Sequence, residues 1–378
     1  MYISRMILGL QVSVSTNNDW APTNAKTENQ ITPFRIKTSD GVVLFAWHVL
    51  PLGLYEQHES KIREQPPGLA EDITKTTGFQ LLSTNPESRV IINFHGNAGH
   101  VAQGWRTDTY RVLTCSEVET HVLTIDYRGF SLSTGSPDEH GLILDGVTLV
   151  NWVMKEAKIP PERIVLLGQS LGTAVASGVA HHFATNPQGP ISLTLDPPDE
   201  SSEVPKERVV FAGVVLVAAF AYLPNLLLTY KIGGFLPILA PLRPFRFMHR
   251  LVDWVVVDKW NTAERLARYQ RAVKGTKSQL TLIHATNDGD IPWKNSRNLF
   301  ISSVRGSIGD DGQHYDASGL DVKQGGLIRE WSDGEGRNIR LEIVEHGGHN
   351  RIVTYSYVSL GIIRSFRRAE AKSTSPLI

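Results

Sequence analysis

Ser170 stands between two glycines in Gly168-Gln169-Ser170-Leu171-Gly172, inside the longer stretch IVLLGQSLGTAVASG. A serine hydroxyl is a weak nucleophile, so it needs a base within hydrogen-bond reach and an acid to orient that base. The pentad fits G-x-S-x-G, a pattern that is informative only where a strand enters the turn and a helix leaves it. Here IVLLGQ is strand-like, and the residues after the serine are helix-like and rich in Gly, Ala and Ser. Side chains flanking so tight a turn would collide with the packed strand and helix, which accounts for Gly168 and Gly172. The competing reading is a plain strand-to-helix turn with an N-capping serine. Partners for a nucleophile lie further along. LIHATNDGDIPW offers Asp288 and Asp290 just after a strand-like run, and LEIVEHGGHNR offers His346 and His349 after the last one. That is the chain order, serine then acid then histidine, that a sheet of this kind uses. Acyl transfer also needs donors for the developing oxyanion. The backbone N–H of Leu171 is one. The other comes from NFHGNAGH, where Asn97 follows the strand end and Ala98 is the alternative. His95 and His100 have no carboxylate at ligand spacing, so no metal and no other cofactor is expected.

These residues need a scaffold that brings distant segments together. From Arg89 onward, short Val/Ile/Leu runs alternate with longer helical segments: RVIINF, HVLTI, RIVLLGQ, VVFAGVVLVA, QLTLIHAT and IRLEIVEH are the runs. The pattern predicts a parallel sheet covered on both faces. Before it, FRIKTSDGVVLFAWHVLP alternates around Asp40-Gly41 and reads as a hairpin. Residues 1–33 read as an irregular arm, 56–88 as a charged linker with one short turn, and 369–378 as a tail. Two stretches, 185–208 and 304–338, are rich in Pro, Gly, Ser and acidic residues and read as surface insertions. NRIVTYSYVSLGIIRSFRR is expected to be the closing helix.

Composition limits the function classes. The chain has 378 residues, 41% hydrophobic and 20% charged, enough for a sizeable core. Lys plus Arg equals Asp plus Glu, 38 each, which lacks the basic excess of a nucleic-acid binder. A single cysteine, Cys115, excludes an intrachain disulfide and reads as a buried small hydrophobe. No apolar run reaches the ~18–20 residues of a membrane span, and MYISRMILGL is too brief for a signal anchor. The expected setting is cytoplasmic or peripheral to a membrane.

Several motifs together resemble a known family. FHGNAG at 94–99, DYRGFSLSTGSPDEHGLILD at 126–145, GQSLGTAVA at 168–176, HATNDGDIPW at 284–293 and HGGHN at 346–350 are similar to those of the ABHD-type α/β-hydrolase-domain serine hydrolases. The likeness is to the branch of monoacylglycerol and lysophosphatidylserine lipases and covers residues 34–368. It implies an α/β-hydrolase fold with a mostly parallel eight-stranded sheet and an inserted cap, here at 220–260. It selects Asp288 over Asp290 by its offsets from His284 and from Ile291-Pro292. It also selects His349, at the end of the Gly-rich loop, over His346. Arg128 in DYRG is expected to pair with carboxylates and brace the oxyanion loop. The implied activity is hydrolysis of a monoacylglycerol or lysophospholipid ester through an acyl-enzyme on Ser170. Protein-acyl thioester or peptide hydrolysis, and a non-catalytic binding role, are the alternatives. The cap is crowded with Leu, Ile and Phe beside Lys231, Arg243, Arg246 and Arg250, which suits an acyl chain, an anionic head group and shallow membrane contact.

Overall fold

The computed structural model describes residues 29–117, 119–193, 208–228, 246–309, 319, 320, 322 and 325–371. Most of the expected N-terminal arm and C-terminal tail lies outside the described residues. So do residues 194–207 and 310–318 of the two insertions. Cap residues 229–245, which include Lys231 and Arg243, are outside them too.

The described residues form one nine-stranded sheet. Its strands are β1 Ile31–Lys37, β2 Val43–Val49, β3 Arg89–Phe94, β4 Thr120–Ile125, β5 Ile164–Gln169, β6 Gly213–Val217, β7 Ser278–Ala285, β8 Leu327–Ser332 and β9 Arg337–Val344. The spatial order is β1-β2-β4-β3-β5-β6-β7-β9-β8. Strands β4, β3, β5, β6, β7 and β9 run parallel. Strands β1, β2 and β8 add antiparallel edges.

The central strands are apolar throughout because both faces are covered. Side chains alternate between two cores. Val90, Ile92 and Phe94 of β3 point into one with Leu142 and Val150 of the helix Glu139–Lys155 and Val175 and Val179 of the helix Leu171–Thr185. Ile91 points into the other with Tyr110 and Leu113 of the helix Trp105–Ser116 and Ile362 and Phe366 of the helix Ser356–Glu370. Each fully buried Val, Leu or Ile contributes roughly 1.5–3 kcal/mol. This continuous core fixes the strand ends that carry the site. The chain order reverses where β3 lies between β4 and β5, and ligands of open α/β sheets bind at such a crevice, beyond the carboxyl ends of the strands.

Four expectations need correction. The sheet has nine strands among the described residues, not eight. The ninth, β8, lies inside the stretch read as a surface insertion. It pairs with β9 through LIREWS, a sequence with mostly exposed side chains. Charged, short edge strands resist pairing with other chains and carry no apolar run to reveal them. Residues 56–88 are not a linker but hold the helices Glu59–Arg63 and Thr77–Thr84. The second is capped by Thr76, whose hydroxyl accepts from the Phe79 N–H, and it buries Phe79 and Leu82. Cys115 is exposed. The buried stripe of its helix is Arg106, Thr109, Tyr110, Leu113 and Thr114, one, three and four apart, and Cys115 falls beside it. The closing helix is also interrupted. A single helical turn at Gly348–Arg351 and a 3₁₀ turn at Ile352–Thr354 precede Ser356–Glu370.

Candidate active site

The turn after β5 holds Ser170 at φ 53° and ψ −119°, a backbone region that L-residues rarely occupy. Two anchors keep it there. The Ser170 N–H donates to Val217 O of β6 at 3.0 Å. Its carbonyl accepts from the Thr173 N–H at 3.0 Å and the Thr173 hydroxyl at 2.6 Å. The flanking glycines are sterically required. A Cβ on Gly168 would stand 2.4 Å from Gly172 O, and one on Gly172 would stand 2.0 Å from Phe94 O. The helix that follows is lined with Ala174, Ala176, Ser177, Gly178 and Ala180, all buried, so it lies close against the sheet. Ser170 occupies the N-cap position, yet its side chain makes no capping bond. The hydroxyl points to His349 instead.

His349 Nε2 lies 3.0 Å from Ser170 Oγ, and His349 Nδ1 lies 2.8 Å from Asp288 Oδ2. The histidine is set by the loop after β9. Gly347 (φ 141°) and Gly348 (φ 57°) turn the backbone, the Gly348 N–H donates to Asn287 Oδ1 at 2.9 Å, and Gln169 Nε2 donates to His349 O at 3.1 Å. The second residue of the G-x-S-x-G pentad therefore ties the serine turn to the histidine loop.

Asp288 follows β7 with its side chain fully buried. Oδ1 accepts the backbone N–H groups of Asp290 and Ile291, each at 2.9 Å. Oδ2 faces two imidazoles, His349 and, at 3.1 Å, His284 Nε2. Burial alone would raise this carboxyl. The hydrogen bonds from His284 and His349 outweigh it and hold the group well below the usual carboxylate range. His284 is oriented in turn: Nδ1 lies 2.7 Å from Ser296 Oγ, and Nε2 lies 2.9 Å from Ile291 O. Two acceptors at Nε2 place the proton there, so Ser296 donates to Nδ1.

The structure thus brings together Ser170, Asp288 and His349. Asp290 supplies a backbone N–H to Asp288, and His346 stays exposed at the surface. The loop after β3 lies against the serine, and a Cβ on Gly96 would stand 3.3 Å from Ser170 Cβ. Asn97 is therefore next to the turn. Leu171 opens the helix, so its N–H is outside the intrahelical ladder.

Arg128 departs from expectation. It pairs with carboxylates, but its hydrogen bonds go to Asp145 (2.7 and 2.9 Å) and Asp40 (2.7 and 3.2 Å), away from the oxyanion loop. The loop is gripped by Arg106, which the sequence reading did not single out. His95 is buried with Nδ1 at 2.7 Å from Gly96 O, and His100 Nδ1 accepts from the Ala102 N–H at 3.3 Å. Asp126 is fully buried beneath the same loop and accepts the Val101 N–H at 2.7 Å. Burial pushes its carboxyl up to about 7, against the opposing pull of that bond and of the Arg106 charge.

A strained serine between strand and helix, beside the point where the strand order reverses, defines the α/β-hydrolase class. A profile of the alpha/beta hydrolase family matches residues 91–356, and the chain belongs to that family. The chain is similar to the lysophosphatidylserine lipase ABHD12 of Danio rerio, 26% identical over 272 residues that cover 72% of this chain and 58% of the relative. The Xenopus tropicalis protein of the same name is 30% identical over the same shares. The match thus spans 58% of the length of these relatives. Among solved structures, a Mycobacterium tuberculosis puromycin-hydrolyzing peptidase aligns with a TM-score of 0.50 at 10% identity. That alignment covers 90% of this chain and 39% of that one, a likeness of fold.

Proposed function

We propose that the protein is a serine hydrolase of carboxylic esters, with a monoacylglycerol or lysophospholipid as substrate. The observation that carries the reading is the unbroken line from Asp288 through His349 to Ser170, with contacts of 2.8 and 3.0 Å. The names of the lysophosphatidylserine lipase relatives support the substrate class.

The chemistry follows from the proton positions. Asp288 accepts from His349 Nδ1–H, which leaves Nε2 as the acceptor facing Ser170. As Ser170 Oγ attacks the ester carbonyl carbon, its proton passes to His349 Nε2. The carbonyl π electrons move to oxygen, and the oxyanion receives the N–H groups of Leu171 and Asn97. Asp288 stabilises the imidazolium through its buried carboxylate. Collapse expels the alcohol, which leaves with the proton from His349. Water then attacks the acyl-serine with His349 as base, the carboxylic acid departs, and Ser170 regains its proton. No step calls for a cofactor.

The region between β6 and β7 is suited to a lipid surface. In the helix Arg246–Val255, Leu251 and Trp254 are exposed, the latter at 82%, beside exposed Arg250, and Val257 follows just beyond. An apolar face with basic neighbours favours a shallow position in an anionic membrane interface. Among the described residues no helix is long and apolar enough to cross a membrane. The exposed apolar face supports the proposed setting of an enzyme peripherally associated with a membrane from the cytoplasm. Hydrolysis of lysophosphatidylserine and monoacylglycerol should exceed that of matched acyl thioesters and peptides, and rates should rise with acyl length. A panel with equal rates for acetyl and long-chain esters would sink the lipase assignment. Binding to phosphatidylserine vesicles should weaken in Leu251→Ser/Trp254→Ser, and unchanged binding would remove the membrane role.

A further inference from the structure

Arg106 lies in the first turn of the helix Trp105–Ser116, is 4% exposed, and directs its hydrogen bonds to main-chain carbonyls rather than to a carboxylate. Nη1 donates to His100 O at 2.7 Å. Nη2 is shared among Gly96 O at 3.1 Å, Ala98 O at 2.8 Å and Asn97 O at 3.5 Å. One guanidinium therefore gathers four carbonyls of the loop that borders Ser170.

A peptide unit is planar and trans, so its N–H points opposite to its C=O. The Gly96 carbonyl and the Asn97 N–H belong to one such unit. Drawing Gly96 O inward onto Arg106 aims the Asn97 N–H outward, away from the guanidinium. His95 Nδ1 holds the same carbonyl at 2.7 Å. The next unit, Asn97 O with the Ala98 N–H, meets Arg106 through the longer contact. The loop also bends through Ala98 at φ 59° and Gly99 at φ 72°. A left-handed alanine is unfavourable and persists only where its surroundings determine it.

We infer that Arg106 is a positioning residue that fixes the direction of the Asn97 N–H, and so preorganises the second oxyanion donor. The inference rests on the serine-hydrolase reading for its catalytic consequence, though not for its structural one. A lysine at this position presents one point charge on a single nitrogen and cannot gather carbonyls on two separate nitrogens. Removing one oxyanion donor outright slows kcat by about 10²–10³, so a donor left in place but loosely aimed should slow it by about 10- to 100-fold.

The test compares wild type with Arg106→Lys and Arg106→Met on p-nitrophenyl butyrate. Active sites are counted by fluorophosphonate titration, and exchange of the backbone amides in residues 95–101 is followed by hydrogen–deuterium mass spectrometry. The expected result is a kcat per titrated site lower by about 10- to 100-fold, KM within about threefold, and faster exchange in 95–101. A purely structural role would lower the melting temperature and the number of titratable sites while kcat per site stayed at the wild-type value. That result overturns the inference. Should Arg106→Met fail to fold, Arg106→Lys carries the test. A wild-type protein that fluorophosphonate does not label defeats the serine-hydrolase reading instead. The exchange data then decide the loop claim alone: faster exchange upholds it and unchanged exchange overturns it.

Discussion

Replacing Asp288 with Asn keeps the size of the side chain and changes only what its atoms can accept. In the native site Oδ1 takes two backbone N–H groups and Oδ2 takes two imidazole nitrogens, so all approaches to the carboxylate are from donors. The amide NH₂ of Asn can only donate. If it turns toward Oδ1 it meets the N–H groups of Asp290 and Ile291. If it turns toward Oδ2 it meets His284 and His349. The second pose leaves one escape: His349 moves its proton to Nε2 and accepts at Nδ1. That tautomer confronts the Ser170 hydroxyl with a donor, and the negative charge that would stabilise the imidazolium is gone. A serine hydrolase with the acid so altered loses about 10⁴ in kcat, or roughly 5.4 kcal/mol of barrier at 1.36 kcal/mol per tenfold. Asp290→Asn keeps the backbone N–H that matters and should retain kcat within about twofold, the range of surface substitutions. Steady-state kinetics on p-nitrophenyl butyrate, with active sites titrated, read both variants. Equal losses in the two variants, or a larger loss in Asp290→Asn, would refute the assignment of the acid.

Two further outcomes follow from the packing and from buried charge. Gly172→Ala would place a methyl 2.0 Å from Phe94 O, so the helix Leu171–Thr185 must move off the sheet. We expect a loss of at least ~3 kcal/mol, measured by urea unfolding. Asp126 titrates at about 7 in the folded protein because burial disfavours its charge, against ~3.9 when unfolded. The folded state therefore holds the proton more tightly. The group's stabilising effect is complete below about pH 4, falls as pH rises toward about 7, and is exhausted above it, with a limiting slope of ~1.36 kcal/mol per pH unit. Asp126→Asn should flatten the stability–pH curve between those values, and an unaltered curve would contradict the assignment.

The parts of the site that were legible in the sequence are those whose chemistry forces a local pattern. Gly168 and Gly172 are glycines because Cβ atoms there would meet backbone, and that need is written into adjacent positions. Strand periodicity leads to the loops after β7 and β9 that offer Asp288 or Asp290 and His346 or His349, and the family resemblance selects Asp288 and His349. Arg106 left no such trace, and although His284 and Gln169 stand inside the motifs, nothing there reveals that they contact Asp288 and His349. Arg106 acts on carbonyls six to ten residues away, and any sequence supplies carbonyls. Gln169 reaches His349 across 180 positions. Arg128, flanked by suggestive neighbours, was assigned the brace that Arg106 provides. Strand β8 was missed for a related reason: with most of its side chains in solvent it lacks the hydrophobic run that marked the interior strands. The helices at 59–63 and 77–84 were hidden because their buried large apolar residues, Ile62, Phe79 and Leu82, are few and set among charged and polar ones.

The central claim is that Ser170 is the nucleophile, activated by His349. The most direct measurement is to treat the protein with a fluorophosphonate, digest it and locate the adduct by mass spectrometry, with Ser170→Ala and His349→Ala in parallel. One stoichiometric adduct on Ser170 is expected in the wild type, no adduct in Ser170→Ala, and labelling slowed by about 10³ or more in His349→Ala. An adduct on another serine, or labelling that persists in Ser170→Ala, would contradict that claim.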